Sequence, residues 1–171
     1  MGPVGFVLLV NRGNLTRHQL YRDVSDRIQN EPGCDVAYYV PSRVRPQRVV
    51  AEFEPELLFG QQYAAGTCRL EIEFWFPDGV DHERYRIEWV EPERNLGVGW
   101  HQDGTHSSLG PCHIQLDYGG RTVERERAEF IDRHPLNVLD VRLDQLRSLV
   151  PNLDWEGETP SLPSSGLAGG P

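Results

Sequence analysis

The segment Trp100–His113, WHQDGTHSSLGPCH, places three of the chain's six histidines and an aspartate within fourteen residues. Imidazole changes charge near neutral pH and is also the commonest metal ligand. The residue types therefore admit acid–base chemistry, a metal site, or an ordinary polar hairpin. Cleavage of an RNA phosphodiester without a metal needs a base for the 2'-hydroxyl, an acid for the leaving 5'-oxygen and a cation beside the phosphate. His101, His106 and His113 can supply base and acid, with Asp103 orienting a histidine. Arg84 and Arg86 are the candidate cations, with Arg94 a further one.

The competing readings use the same residues differently. As a nitrogen and oxygen set, His101, Asp103, His106 and His113 have separations that match no familiar zinc signature, and closed structural zinc sites usually recruit cysteines. No metal and no other cofactor is expected. Cys112 adjoins His113, but neighbours on a strand point to opposite faces, which disfavours a nucleophile–base pair. As a hairpin, the segment is simply rich in turn-forming residues, with Asp103-Gly104 at its bend. Of the remaining histidines, His18 falls on the polar side of a helix, His82 opens a strand, and His134 precedes Pro135 where the last helix starts.

Positioning these groups is the task of the rest of the chain. From Asn14 to Ile28, Leu15, Leu20, Tyr21, Val24 and Ile28 recur close to a 3.6 period, which predicts an amphipathic helix ended by Asn30, Pro32 and Gly33. Short β-like segments follow over 36–40 and 47–53. In 67–76, Leu70, Ile72, Phe74 and Phe76 alternate with polar residues, and in 82–90 Tyr85, Ile87 and Trp89 share one face. Segments 96–101, 112–118 and 121–130 continue the pattern, separated by turns too short for parallel crossovers. Arg84 and Arg86 should share a face, as should His101 and Asp103 if their strand continues. Residues 135–150 carry apolar residues at helical spacing. The fold class read from this is α+β: an antiparallel β-meander of about five or six strands flanked by N-terminal and C-terminal helices. Residues 1–151 should form a single domain, with 152–171 a disordered Pro/Ser/Gly-rich tail.

Composition narrows the setting. The 171 residues suit one domain with a proper core, and the only long apolar run near the start, Val4–Val10, is too short to span a bilayer and lacks the flanks of a signal peptide. These features predict a cytoplasmic protein with no membrane association. All 17 basic residues are arginine and the net charge is -9. Residues 1–50 carry seven arginines against four acids, whereas 51–100 carry four against eleven. If the chain meets nucleic acid, its arginines must make the contact, because phosphate binding needs clustered positive charge. Cys34, Cys68 and Cys112 are odd in number and widely spaced, which argues for reduced thiols.

Over roughly residues 67–150, the pattern RYRIEW, GVGWHQDGTHSSLGPCHIQ and HPLNVLDVRLDQL resembles the TumE-like toxins of prokaryotic toxin–antitoxin systems. Members resemble a β-meander with a Tyr-Arg-type strand, a strand ending in an aromatic and an aspartate, and a histidine-rich loop before a closing helix. Arg84 to Trp89, Trp100 to Asp103, His106 and His113 follow that order. Where many relatives carry a His-His pair this chain has Thr105-His106, and its first 60 or so residues lie outside the pattern. The resemblance implies a growth-inhibiting toxin acting on RNA, neutralised by a helix-turn-helix antitoxin. The alternative from a different class is a non-enzymatic interaction module holding a basic or DNA-binding partner protein.

Overall fold

Alternation along the strands decides the architecture, because it gives the sheet one apolar and one charged face. The computed structural model describes residues 17–75, 84–131 and 134–164. Seven strands pair in chain order, each antiparallel to the next: β1 (Cys34–Val40), β2 (Arg48–Phe53), β3 (Cys68–Trp75), β4 (Arg84–Glu91), β5 (Leu96–Gln102), β6 (His113–Tyr118) and β7 (Arg121–Arg127). On one face Leu70, Ile72, Phe74, Tyr85, Ile87, Trp89, Val98, Trp100, Ile114 and Leu116 are at most 2% exposed. Helices α1 (Arg17–Gln29) and α3 (Pro135–Leu149) cover that face, and the short helix α2 (Pro55–Phe59) follows β2. The opposite face carries the charged partners of the alternation and is called the open face below.

Local chemistry explains where each helix sits. In α1, Leu20, Tyr21, Val24 and Ile28 form the buried stripe, and the Tyr21 hydroxyl donates to the Phe74 carbonyl at 3.0 Å, pinning the helix to the end of β3. Helix α3 begins with Pro135, whose missing N–H costs nothing in a first turn, after His134, whose Nδ1 accepts from the Leu136 amide at 3.3 Å. The buried Glu31 carboxylate accepts from Arg27 of α1 and Arg147 of α3, tying the two helices together.

Arg142 of α3 is 1% exposed and reaches the core without a carboxylate. Its guanidinium donates to the Tyr85 hydroxyl at 2.7 Å, the Glu129 carbonyl at 2.7 Å and Gln145 at 2.7 Å, and lies 5.2 Å from the Trp100 ring. Neutral acceptors and an aromatic face thus replace the usual counter-ion. Burial raises the Tyr85 pKa despite the adjacent cation, so the phenol stays protonated.

Two expectations change. The sheet has seven strands rather than five or six, because the half-exposed β1 and the charged β7 each need only one neighbour at an edge. Residues expected in the tail are also ordered: β8 (Asp154–Glu156) and β9 (Thr159–Ser161) form a hairpin that packs on β6 and β7. Leu153, Pro160 and Leu162 are buried there, and Glu124 accepts from the Leu162 amide at 2.7 Å. A few apolar residues spaced through polar sequence suffice to anchor a segment whose average composition reads as disordered. The Val4–Val10 run, the helix start at Asn14, the turn Pro77–Gly79, His82 and residues 165–171 lie outside the described residues. Among the described residues no helix is long and apolar enough to cross a membrane.

On the open face of β5, Gly97 and Gly99 alternate with core residues. A Cβ on Gly99 would stand 2.2 Å from the Ile87 carbonyl oxygen and 2.6 Å from the Glu88 Cα, so β4 leaves no room for any side chain. Gly99→Ala is therefore expected to lower stability by about 1–3 kcal/mol. The check is a urea unfolding midpoint with unchanged slope; an unaltered midpoint would mean the strands separate freely at this position.

Candidate functional site

Register brings the sequence-nominated residues together. Arg86 on β4 stands opposite His101 on β5, His101 opposite His113 on β6, and His113 opposite Arg127 on β7. All four side chains belong to the open face, since their neighbours Tyr85, Ile87, Trp100 and Ile114 fill the core. Arg84 shares this face two residues along β4. Beyond β5, Asp103 enters a turn closed by its own carboxylate, which accepts from the Thr105 amide at 2.9 Å and hydroxyl at 2.8 Å. The loop then folds back through a single 3-10 turn at Ser107–Leu109 and carries His106 over the strand pair. The His101 and His113 ring centroids are 5.2 Å apart, and those of His106 and His113 are 4.8 Å apart, both in edge-on arrangements. The strand alternation that separates Cys112 from His113 is also seen: Cys112 faces the Arg142 side at 3.4 Å while His113 faces the open side.

His113 is fully buried, yet neither of its ring nitrogens has a hydrogen-bond partner. The same is true of His101 Nε2 and of the Nε atoms of Arg48, Arg84 and Arg86. Among the described residues these are all the buried side-chain nitrogen and oxygen atoms that lack a partner, and all belong to one face of one sheet. An unsatisfied buried polar group costs about 1–3 kcal/mol, and native proteins tolerate few of them. Guanidinium N–H groups can only donate, so the partner that would satisfy them is an acceptor, and beside several arginines it is an anion.

The electrostatics agree. Burial, then the Arg86 charge and then His113 push the His101 imidazole down to about 4, outweighing Asp103 and Asp117. Burial also lowers His113, helped by His106 and Arg125 and opposed by Asp103. Both rings are therefore neutral at neutral pH and able to accept a proton. Burial tends to raise the Asp103 carboxyl, but the Thr105 amide and hydroxyl bonds and the two histidines bring it below its ordinary value. Asp103 is thus an anion beside His101 and His113.

Some nominated residues lie elsewhere, and some participants were missed. Arg94 sits at the far end of β4, donating to Glu91 at 3.0 Å and to the Tyr63 hydroxyl at 3.2 Å, with Trp155 4.7 Å away; it is structural. Arg127 packs over Gly110, its Nε 3.7 Å from where a Cβ there would stand, and Arg125 donates to Gln115 at 2.7 Å. Neither was nominated, though the alternating signs of RTVERER already place Arg125 and Arg127 on one face. Among the described residues no three His, Cys, Asp or Glu side chains are placed to hold a metal ion. No family model matches the chain, and no curated protein or solved structure matches it significantly.

The low histidine basicity has a direct readout. The His101 ring resonances are expected to titrate near pH 4 by NMR, well below an ordinary histidine. Because its folded pKa lies below its unfolded one, the unfolded state binds the extra proton between about pH 6.5 and 4. Stability should therefore be full above that window and fall as pH drops through it, and His101→Ala should flatten that part of the curve. A His101 midpoint near 6.5 would contradict the burial described.

Proposed function

We propose that the protein is the toxin of a toxin–antitoxin pair and that it cleaves RNA in the cytoplasm at the open face of its sheet. The observation that carries this reading is the cross-strand run Arg86, His101, His113, Arg127, with its unpartnered nitrogens, flanked by Arg84, Asp103 and His106. A phosphodiester is the anion that such a set can both hold and react with. The arginines take the non-bridging oxygens, whose charge grows in the transition state. One neutral histidine of the His101/His113 pair removes the 2'-hydroxyl proton. The O2'–P bond then forms as the P–O5' bond breaks, leaving a 2',3'-cyclic phosphate.

The other histidine returns a proton to the 5'-oxygen. It can do so because the bound phosphate offsets the arginine charge that depresses its basicity. Asp103 supports whichever ring is cationic. The resemblance to TumE-like toxins supports the biological role, and with it a helix-turn-helix antitoxin as partner. Such a DNA-binding protein presents basic surface, and Asp35, Glu52, Glu54 and Glu56 gather around a groove of about 490 Å³ beside α2.

The test is induced expression in a bacterial host, following growth and total RNA. Wild type should arrest growth and degrade RNA. His101→Ala and His113→Ala should each lose about 100-fold or more of the cleavage rate, with an unchanged circular dichroism spectrum. Growth arrest with intact RNA, or folded variants as active as wild type, would sink the proposal.

A further inference from the structure

The orphaned donors occupy one end of the open face, and a trough continues from them over β5. It has a volume of about 390 Å³, within the range of small-molecule sites, and is lined by Arg69, Glu71, Arg86, Glu88, Gly97 and Asp117 among others. Its floor lacks a side chain at Gly97 of β5, where the nearest atom to a Cβ would be Glu88 Oε1 at 3.3 Å; Gly99, by contrast, is already closed off by the β4 backbone. A flat ring can therefore lie on the strand backbone between the side chains of β4 and β6.

The acids around the trough differ in what they are free to do. Glu71 is taken by Arg48 at 3.2 Å and Arg69 at 2.7 Å. Both oxygens of Asp117 accept from the Gln115 amide, at 3.0 and 2.8 Å. Glu91 is held by Tyr63, Trp89 and Arg94. Glu88 is different: its Oε2 accepts from Arg86, while its Oε1, 3.3 Å from where a Cβ on Gly97 would stand, accepts from no group among the described residues. Glu88 as a residue is only 5% exposed, and its Oε1 is the carboxylate oxygen open to the trough. Beside it, the Nε of Arg86 is buried and without an acceptor.

A ligand that satisfies both must bring N–H donors to Glu88 and an acceptor or anion to Arg86. Of the four RNA bases, guanine alone presents two adjacent N–H donors on its Watson–Crick edge, next to a carbonyl acceptor. Adenine and cytosine place a ring acceptor beside their amino group, and uracil flanks its single N–H with two carbonyls. Unpaired bases in RNA are commonly read along this edge. Spacing agrees as well, because Glu88 lies two residues along β4 from Arg86, about 7 Å. That is the reach from a nucleotide's phosphate to its own base.

We infer that the trough over Gly97 is a base subsite selecting guanine, with Glu88 as its reader, so that cleavage falls on the 3' side of guanosine. The inference rests on the reading of the open face as an RNA site. Its test therefore includes a binding measurement that needs no catalysis. Calorimetry with the full chain should show 3'-guanosine monophosphate binding at least roughly tenfold tighter than the 3'-monophosphates of adenosine, cytidine and uridine. Glu88→Gln, which replaces the acceptor with a donor, should erase that ratio. Gly97→Val, which fills the floor, should erase it too, with circular dichroism confirming both folds.

Single-guanine oligonucleotides then report the cleavage position. Equal binding of the four nucleotides, or a guanine preference that survives in both folded variants, would overturn the subsite. Cleavage of RNA at all bases alike would likewise overturn it while leaving the nuclease reading in place. A guanine preference lost in the variants, in a protein that cleaves no RNA, would support the subsite and overturn the nuclease reading.

Discussion

The arrangement depends on the register of three strands, β4, β5 and β6. Side chains alternate across a sheet with a period of two, so sliding β5 by one residue would exchange its faces. Trp100 would leave the core and His101 would enter it. The register is held from below: Trp100 pairs with Ile87 and Ile114 in the apolar layer, and a one-residue slip would expose large aromatic and aliphatic surface on all three strands. The energy of the core is thus what places His101 between Arg86 and His113. Little on the open face would hold them there unaided, since neighbouring cations and imidazoles repel or ignore one another.

Arg142 extends the same logic through the sheet. It binds the Tyr85 hydroxyl, whose strand neighbours are Arg84 and Arg86, and it approaches Cys112, the neighbour of His113. A buried cation in the apolar layer is costly unless its donors are met. Here they are met by groups on β4, on the segment entering β6 and on the segment after β7. The helix therefore gathers the strand ends that carry the open-face residues. The saturated guanidinium of Arg142, reaching β4 from α3 beneath the sheet, contrasts with the unsaturated ones of Arg84 and Arg86 above that strand. The difference lies in partners: Arg142 finds acceptors in the layer sealed by α3, whereas the buried nitrogens above the sheet find none.

Much of this could be read from the residues alone. Alternation in RLEIEF and RYRIEW declared two strands and their buried faces, and the turn residues between them declared antiparallel pairing. The grouping of the histidines was visible in their spacing, and the shared face of Arg84 and Arg86 in their separation by one residue. What stayed hidden depended on tertiary partners. The meaning of Gly99 in segment 96–101 appears only once the β4 backbone stands against it. Arg125 and Arg127 were legible as a positive face, but not as neighbours of His113, which requires the β6–β7 register with its bulge at Leu116/Asp117. The closing hairpin was missed because Leu153, Pro160 and Leu162 are too few to shift an average, though each finds a buried place.

By total charge, -9, an acidic chain is a poor partner for RNA, and local charge is what counts. Long-range attraction is screened within about 8–10 Å at physiological salt, so the groups beside a bound phosphate matter more than the total. At the histidine end of the open face, Arg84, Arg86, Arg125 and Arg127 surround two neutral imidazoles, with Asp103 the acid beside them. Burial first, then Arg86 at His101 and His106 and Arg125 at His113, keep the imidazoles neutral. A phosphate between them would reverse that balance, supplying the negative charge that lets an imidazole hold a proton. In the proposed function, this would couple proton delivery to occupancy of the anion site.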